Sequence, residues 1–187
     1  GASVQWLRDK LQVISKASET EEICISTPSS KGLYVVPAFA GLGAPYWDMN
    51  AKGAIYGLTL DSGKNEIIKA TVDALAYQTR DVLDAMVEDS GKLMKELKVD
   101  GGASANNYLM QFQADILNVE VDRPAMLEVT ALGAAFLAGI KAGVWTKKDI
   151  SRIRIVDTKF KPQINEHERS RKYSGWKDAV ERTKSTN

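Results

Sequence analysis

The sequence holds one cysteine, Cys24, and one histidine, His167. Two such residues cannot complete a Cys/His zinc site, and a lone cysteine cannot close an internal disulfide. No apolar run approaches the roughly 20 residues a membrane-crossing helix needs, and the N-terminus lacks a basic stretch followed by an apolar core. No integral membrane segment is expected, and a reducing cytoplasm is the expected location. Charge of one sign is missing too: 25 Lys and Arg oppose 24 Asp and Glu, a net +1. That balance offers no general attraction to nucleic acid or to an anionic membrane, so nucleic acid is not expected as a partner. No internal repeat or low-complexity tract appears.

What is present is an ordinary globular composition, 44% hydrophobic and 26% charged over 187 residues. This suffices for one domain with a buried core. The chain opens on Gly1 inside a helical pattern, and the expectation is that a further segment belongs before it.

Val4, Leu7, Leu11 and Ile14 share one face of a predicted helix from Ala2 to Ala17. Ser18 to Glu22 and Ser26 to Gly32 read as loops around a short extended piece, Ile23 to Ile25. Leu33 to Pro37 and Gly53 to Leu60 are predicted strands, with an irregular structured loop from Pro37 to Asp48 between them. Ile68, Val72, Leu75, Val82 and Met86 mark a long helix from Glu66 to about Glu88. A strand over Glu96 to Asp100 ends in two glycines, after which Tyr108, Leu109, Phe112 and Ile116 mark the next helix.

A strand over Glu120 to Arg123 precedes an Ala131 to Ala142 helix that is apolar on nearly every side, which predicts cover by other elements. Arg154 to Phe160 is a last strand. Asn165 and Glu168 form an N-terminal cap pattern for a final helix carrying Tyr173, Trp176 and Val180. Its excess of basic residues reads as a solvated face. Strands alternating with helices predict an α/β fold, a mixed sheet flanked by helices.

The segment VDGGASANN (Val99 to Asn107) carries most of the chemical signal. Gly101 and Gly102 lack a Cβ, so a flat base or a phosphate could approach the main chain between a strand end and a helix start. On spacing alone an ordinary tight turn is the simpler reading, because neither a lysine-bearing phosphate loop nor a GxGxxG turn is present. Asn106 lies four residues past Gly102, about one turn into the predicted helix, with an amide that both donates and accepts. Gly1 and Gln5, also four apart, would face the same ligand if the two helix starts converge. Asp48, Asp61, Asp73, Asp100 and Asp115 show no pairing that singles out a base, and they read as structural, as do Cys24 and His167.

Four ordered stretches bear a resemblance: YVVPAFAGLGAPYWD (Tyr34 to Asp48), GAIYGLTL with EIIKATVDALAYQTRDVLDAM (Glu66 to Met86), VDGGASANNYLMQFQADIL (Val99 to Leu117) and EVTALGAAFLAG (Glu128 to Gly139). Together they resemble the C-terminal domain of FGGY carbohydrate kinases, the glycerol kinases in particular. The resemblance covers essentially the whole chain, from Gly1 to the helix around Trp176, and implies that residues 1 to 187 form an actin-like, ribonuclease H-like domain, the second half of a two-domain kinase.

It further implies transfer of the γ-phosphoryl group of Mg-ATP to glycerol, giving ADP and glycerol 3-phosphate. The general base, the Mg2+ ligands and the glycerol pocket are then expected upstream, in an N-terminal kinase domain, so this chain is expected to hold no catalytic residue and no metal ligand. A homo-oligomer is implied for the intact protein, and no activity for the isolated chain. Matched residue by residue, Gly1, Gln5, Gly102 and Asn106 fall on nucleotide-contacting positions, with Gly101 in the same turn. Trp47 and its neighbours read as packing within the domain or at a subunit contact. A related sugar kinase acting on xylulose or gluconate, and a non-catalytic nucleotide-binding module, are the alternatives.

Overall fold

The computed structural model describes residues 1–125, 129–153 and 156–186. Helix α1 spans Ala2–Asp9 and stops well short of the predicted end. Gln12 adopts a left-handed backbone with φ 54°, which breaks the helical period. Ile14 is buried beyond that break, whereas Leu11 is 40% exposed. The carboxylate of Glu19 accepts from the backbone N–H groups of Ser15 and Lys16 and fastens the turn.

Where a loop and an extended piece are predicted, the chain instead forms helix α2, Glu19–Ser26. Three carboxylates in its first turn, Glu19, Glu21 and Glu22, favour the positive end of the helix dipole. Thr20 and Cys24, one turn apart, bury the same face. That burial outweighs the weak helix propensity of the β-branched residues.

Strands β1 (Tyr34–Val36) and β2 (Ala54–Tyr56) pair antiparallel with Tyr34 opposite Tyr56. β2 is shorter than predicted. Gly57, at φ +83°, turns the chain so closely past Gly32 that a Cβ there would lie 2.3 Å from the Gly32 carbonyl oxygen.

Helix α3 runs over Lys64–Ser90, opened by the Glu66 carboxylate on the Gly63 N–H at 3.0 Å and closed by Gly91 in the left-handed region. Strand β3 (Glu96–Lys98), the 3-10 turn Gly102–Ala105 and helix α4 (Asn107–Leu117) follow. Strand β4 (Glu120–Pro124) runs parallel to β3 and antiparallel to β5 (Val156–Phe160), so the sheet of order β3-β4-β5 is mixed. The first two residues of the predicted last strand, Arg154 and Ile155, lie outside the described residues.

Helix α5 (Val129–Lys141) is not covered as its composition predicts. Leu137 is 71% exposed, and Gly139 is the buried residue, facing the ring of Trp145. Phe136 meets the same ring edge-on at 5.5 Å. Ala134, Ala135 and Ala138 are exposed beside Leu137, while Leu132 and Ile140 are half-buried. Helix α6 (Lys147–Ile153) has no counterpart in the sequence reading. Its start is nonetheless signalled by Thr146 and Asp149, whose side chains bond at 2.6 Å.

Helix α7 (Glu166–Thr183) begins as predicted, with Asn165 Oδ1 accepting from the Glu168 N–H at 2.9 Å. It closes the core through Trp176, fully buried and stacked on Tyr77 at 5.3 Å. Asp81 accepts from the Trp176 indole at 2.7 Å and the Tyr173 hydroxyl at 2.6 Å. Burial of Tyr77, Phe112, Ile116, Val121 and Val180 around this pair unites α3, α4, β4 and α7. That core holds the middle of α3 against the start of α4, and the candidate site lies beside that junction.

Candidate functional site

A cleft of about 330 Å3 opens where α1, the start of α2, α3 and the Gly102–Ala105 turn meet. Its walls carry Gly1, Val4, Gln5 and Arg8 on one side and Gly102, Ala103, Ala105 and Asn106 on the other. The helix starts that the sequence left unconnected therefore converge. Val72, Leu75 and Leu109 supply apolar surface, and Ser18, Thr20 and Glu21 of the α2 region supply polar surface.

Gly1 is the N-cap of α1, its carbonyl accepting from the Val4 and Gln5 N–H groups at 3.1 and 3.2 Å. Gln5 is exposed on the same wall. The two glycines of the turn serve different ends. Gly101 lies off the cleft wall and takes φ +77°, a conformation costly for any other residue. Gly102 lies on the wall, outside the left-handed region, and a Cβ there would meet nothing within 4 Å. Its lack of a side chain is thus required neither by the fold nor by neighbouring atoms.

Asn106 is not inside a helix, as the spacing suggested, but is the N-cap of α4. Its Oδ1 accepts from the Leu109 N–H at 2.9 Å, and its Nδ2 donates to Thr20 Oγ1 at 3.1 Å. One N–H and one lone pair of the amide remain. Ser104 closes the turn, donating from both its backbone N–H and its hydroxyl to the Gly101 carbonyl.

Thr20 and Glu21 were missed because α2 was read as non-helical. The available signal was Ser18 followed by three glutamates within four residues.

Behind the cleft, Asp73 is buried and accepts from the Tyr108 hydroxyl at 2.6 Å. Burial raises its pKa to about 6, opposed by that hydrogen bond and by Lys69. Lys69, its own pKa lowered by burial, donates to the Cys24 carbonyl at 2.6 Å and lies over the Tyr108 ring. Burial pushes the Cys24 thiol up to about 12, so it is no nucleophile. Asp48 and Asp115 accept hydrogen bonds from backbone N–H groups of loops, roles that hold the structure together.

Glu21 is the sole carboxylate among the lining residues, and both its oxygens are engaged. Among the described residues no cluster of three His, Cys, Asp or Glu could hold a metal ion. The residues lining the cleft therefore do not by themselves fit a Mg2+ site.

Trp47, read as packing within the domain or at a subunit contact, is 74% exposed with φ 53° and so does not pack within this domain, while its neighbour Tyr46 turns onto the core.

Residues 1–142 match the model of the FGGY family of carbohydrate kinases, C-terminal domain. The chain belongs to the FGGY carbohydrate kinases. Among curated FGGY relatives it is 58% identical over 185 residues to a glycerol kinase of Fusobacterium nucleatum, covering 98% of this chain and 37% of the relative. It is 56% identical over 183 residues to a glycerol kinase of Caldanaerobacter subterraneus, covering 97% of this chain and 37% of that one. The chain thus spans little more than a third of the length of these relatives.

Among solved structures, the glycerol kinase of Plasmodium falciparum with ADP superposes with a TM-score of 0.89 at 35% identity, over 100% of this chain and 37% of that one. The xylulose kinase of Lactobacillus acidophilus follows with 0.80 at 23% identity, over 97% of this chain and 37% of that one, a likeness of fold alone. The α/β fold of this chain is the actin-like fold of the FGGY kinases.

Proposed function

We propose that this chain is the C-terminal part of an ATP-dependent glycerol kinase and forms one wall of its nucleotide site. The observation that carries the reading is the meeting of Gly1 and Gln5 with Gly102 and Asn106 in one cleft. High identity to curated glycerol kinases supports glycerol as acceptor in preference to xylulose or gluconate. The apolar surface of Val72, Leu75 and Leu109 suits the base and ribose of the nucleotide.

In the reaction the terminal hydroxyl of glycerol attacks the γ-phosphorus of ATP, the bond to the bridging oxygen breaks, and ADP leaves. The hydroxyl proton passes to a base. Such transfers depend mainly on positioning and charge neutralisation. The residues described here position: the Gly102 backbone offers close approach, Gln5 and the free valences of Asn106 offer hydrogen bonds, and the apolar wall excludes water. The base, the Mg2+ ligands and the glycerol pocket belong to the remainder of the protein, and catalysis requires both parts. The buried, unpaired thiol of Cys24 suits a reducing cytoplasm.

A coupled ADP-release assay on the full-length protein should show turnover with glycerol and far less with xylulose or gluconate. Turnover confined to either of those sugars would overturn the acceptor assignment. The 187-residue chain alone is expected to be inactive, and glycerol-dependent turnover by it would overturn the division of labour.

A further inference from the structure

Glu21 reaches across the cleft from α2 to the start of α4. Its Oε2 accepts from the Asn107 backbone N–H at 2.7 Å, and its Oε1 accepts from Asn107 Nδ2 at 2.9 Å. The other end of that amide, Oδ1, accepts from Arg123 Nη1 at 2.8 Å, and Arg123 Nη2 contacts Asp157 Oδ2 at 2.8 Å. Arg123 Nη1 also donates to the Ser104 carbonyl at 3.2 Å.

A carboxylate only accepts and a guanidinium only donates, so the Asn107 amide has one permitted orientation. The result is a chain from β5 through β4 and α4 to α2 that passes beside both the Gly102–Ala105 turn and the Asn106 cap. A parallel link, Asn106 to Thr20, closes the same seam. Each of these bonds between elements joins residues at least 16 positions apart.

We propose that Glu21 is a positioning residue of the nucleotide cleft: it holds the start of α4 against α2, and so sets the position of Asn106 on the cleft wall relative to Thr20. This rests on the cleft being the nucleotide site. The carboxylate fills an N–H at the start of α4 that a phosphate would otherwise use, and it places negative charge there. Glu21 therefore acts on the nucleoside end of the ligand through α4, not on the phosphates.

The test is equilibrium binding of adenosine and of ADP to the full-length protein. Glu21→Ala should weaken both by the same factor, roughly three- to tenfold, the loss expected from one or two hydrogen bonds. Glu21→Gln keeps an acceptor for the Asn107 N–H but turns an amide N–H toward Asn107 Nδ2, so it should restore part of the loss, a partial rescue that general destabilisation would not show. Amide exchange at Asn107 should quicken in the Ala variant and not in the Gln variant. Should Glu21→Ala fail to fold, Glu21→Asp, one methylene short of Asn107, should show a smaller loss in the same direction.

Unchanged binding of both ligands, tighter ADP with unchanged adenosine, or no rescue by Gln would each overturn the proposal. Gly102→Val measured beside these variants separates the two levels of inference. If it weakens adenosine and Glu21→Ala does not, the role of Glu21 fails alone; if neither does, the nucleotide reading of the cleft fails with it.

Discussion

Asn106 Nδ2 donates to Thr20 Oγ1 at 3.1 Å, tying the cap of α4 to α2 across 86 positions of sequence. Thr20 Oγ1 in turn donates to the Ala17 carbonyl at 2.7 Å, so the link reaches the turn that precedes α2. One amide thereby caps a helix, joins two walls of the cleft and still has valences free for a ligand.

Asn106→Ala is therefore expected to affect stability as well as nucleotide binding. Loss of a helix cap costs about 0.5–2 kcal/mol, and at this chain length each kcal/mol lowers Tm by about 2–4 °C. Asn106→Asp keeps the acceptor for the Leu109 N–H and should recover most of the lost stability. Thermal melts of the two variants beside the parent check this.

Gly101 and Gly102 should separate fold from function. Gly101→Ala forces a Cβ onto φ +77° and should destabilise by about 1–3 kcal/mol. Gly102→Val adds its bulk to open cleft space, so Tm should stay within a few degrees while the KM for ATP rises at least several-fold and that for glycerol does not. Melting curves and steady-state kinetics on the full-length protein decide between them. Equal loss of stability in both variants would remove the distinction.

Asp73 makes stability depend on pH with a definite sign. Its folded pKa, about 6, exceeds the ordinary 3.8, so folding favours the protonated acid. That contribution is fully present below about pH 4 and is lost as pH rises through about 6. Lys69, Lys172 and Tyr108 face the same carboxyl and moderate the effect. Asp73→Asn removes the titration while keeping an acceptor for Tyr108. The parent should therefore gain stability relative to Asp73→Asn as pH falls from about 7 to about 4, by on the order of 1–3 kcal/mol. Parallel melts across that range test it; a gap that widens in the opposite sense would contradict it.

The uncovered face of α5 predicts association of the 187-residue chain. Leu137 is 71% exposed on α5 and Val144, just past its end, is 65% exposed, and exposed apolar surface drives contact with other chains or with hydrophobic dyes. Leu137→Lys should reduce dye binding and concentration-dependent association of that chain. Its Tm should change little, since an exposed position usually shifts stability by less than about 0.5 kcal/mol. Sedimentation of both forms over a range of concentrations gives the answer.

Much of this architecture was legible one element at a time. The period of Ile68, Val72 and Leu75 marked α3, and Asn165 with Glu168 marked the start of α7, because helix faces and caps are encoded within a few residues of themselves. Gly101 and Gly102 marked the turn between β3 and α4 for the same reason. α1 and α2 were misread where local signal and tertiary burial disagree. Leu11 fits the α1 period yet stays exposed after Gln12 turns the chain, and Ile23 to Ile25 has the composition of a strand yet is helical because Thr20 and Cys24 are buried together.

The sequence by itself determined the α/β class, the family resemblance and the candidate residues Gly1, Gln5, Gly101, Gly102 and Asn106, since each depends on residue type and short spacing. Only the tertiary structure decided that four of these share one cleft and that Gly101 lies off its wall in a backbone conformation that favours glycine. It also decided that Asn106 is a cap bonded to Thr20, and that Glu21 belongs to the site at all. Those facts depend on contacts between residues some 80 to 100 positions apart, which exist only once burial of Trp176, Tyr77 and Phe112 has brought α3, α4 and α7 together. No local pattern carries that information.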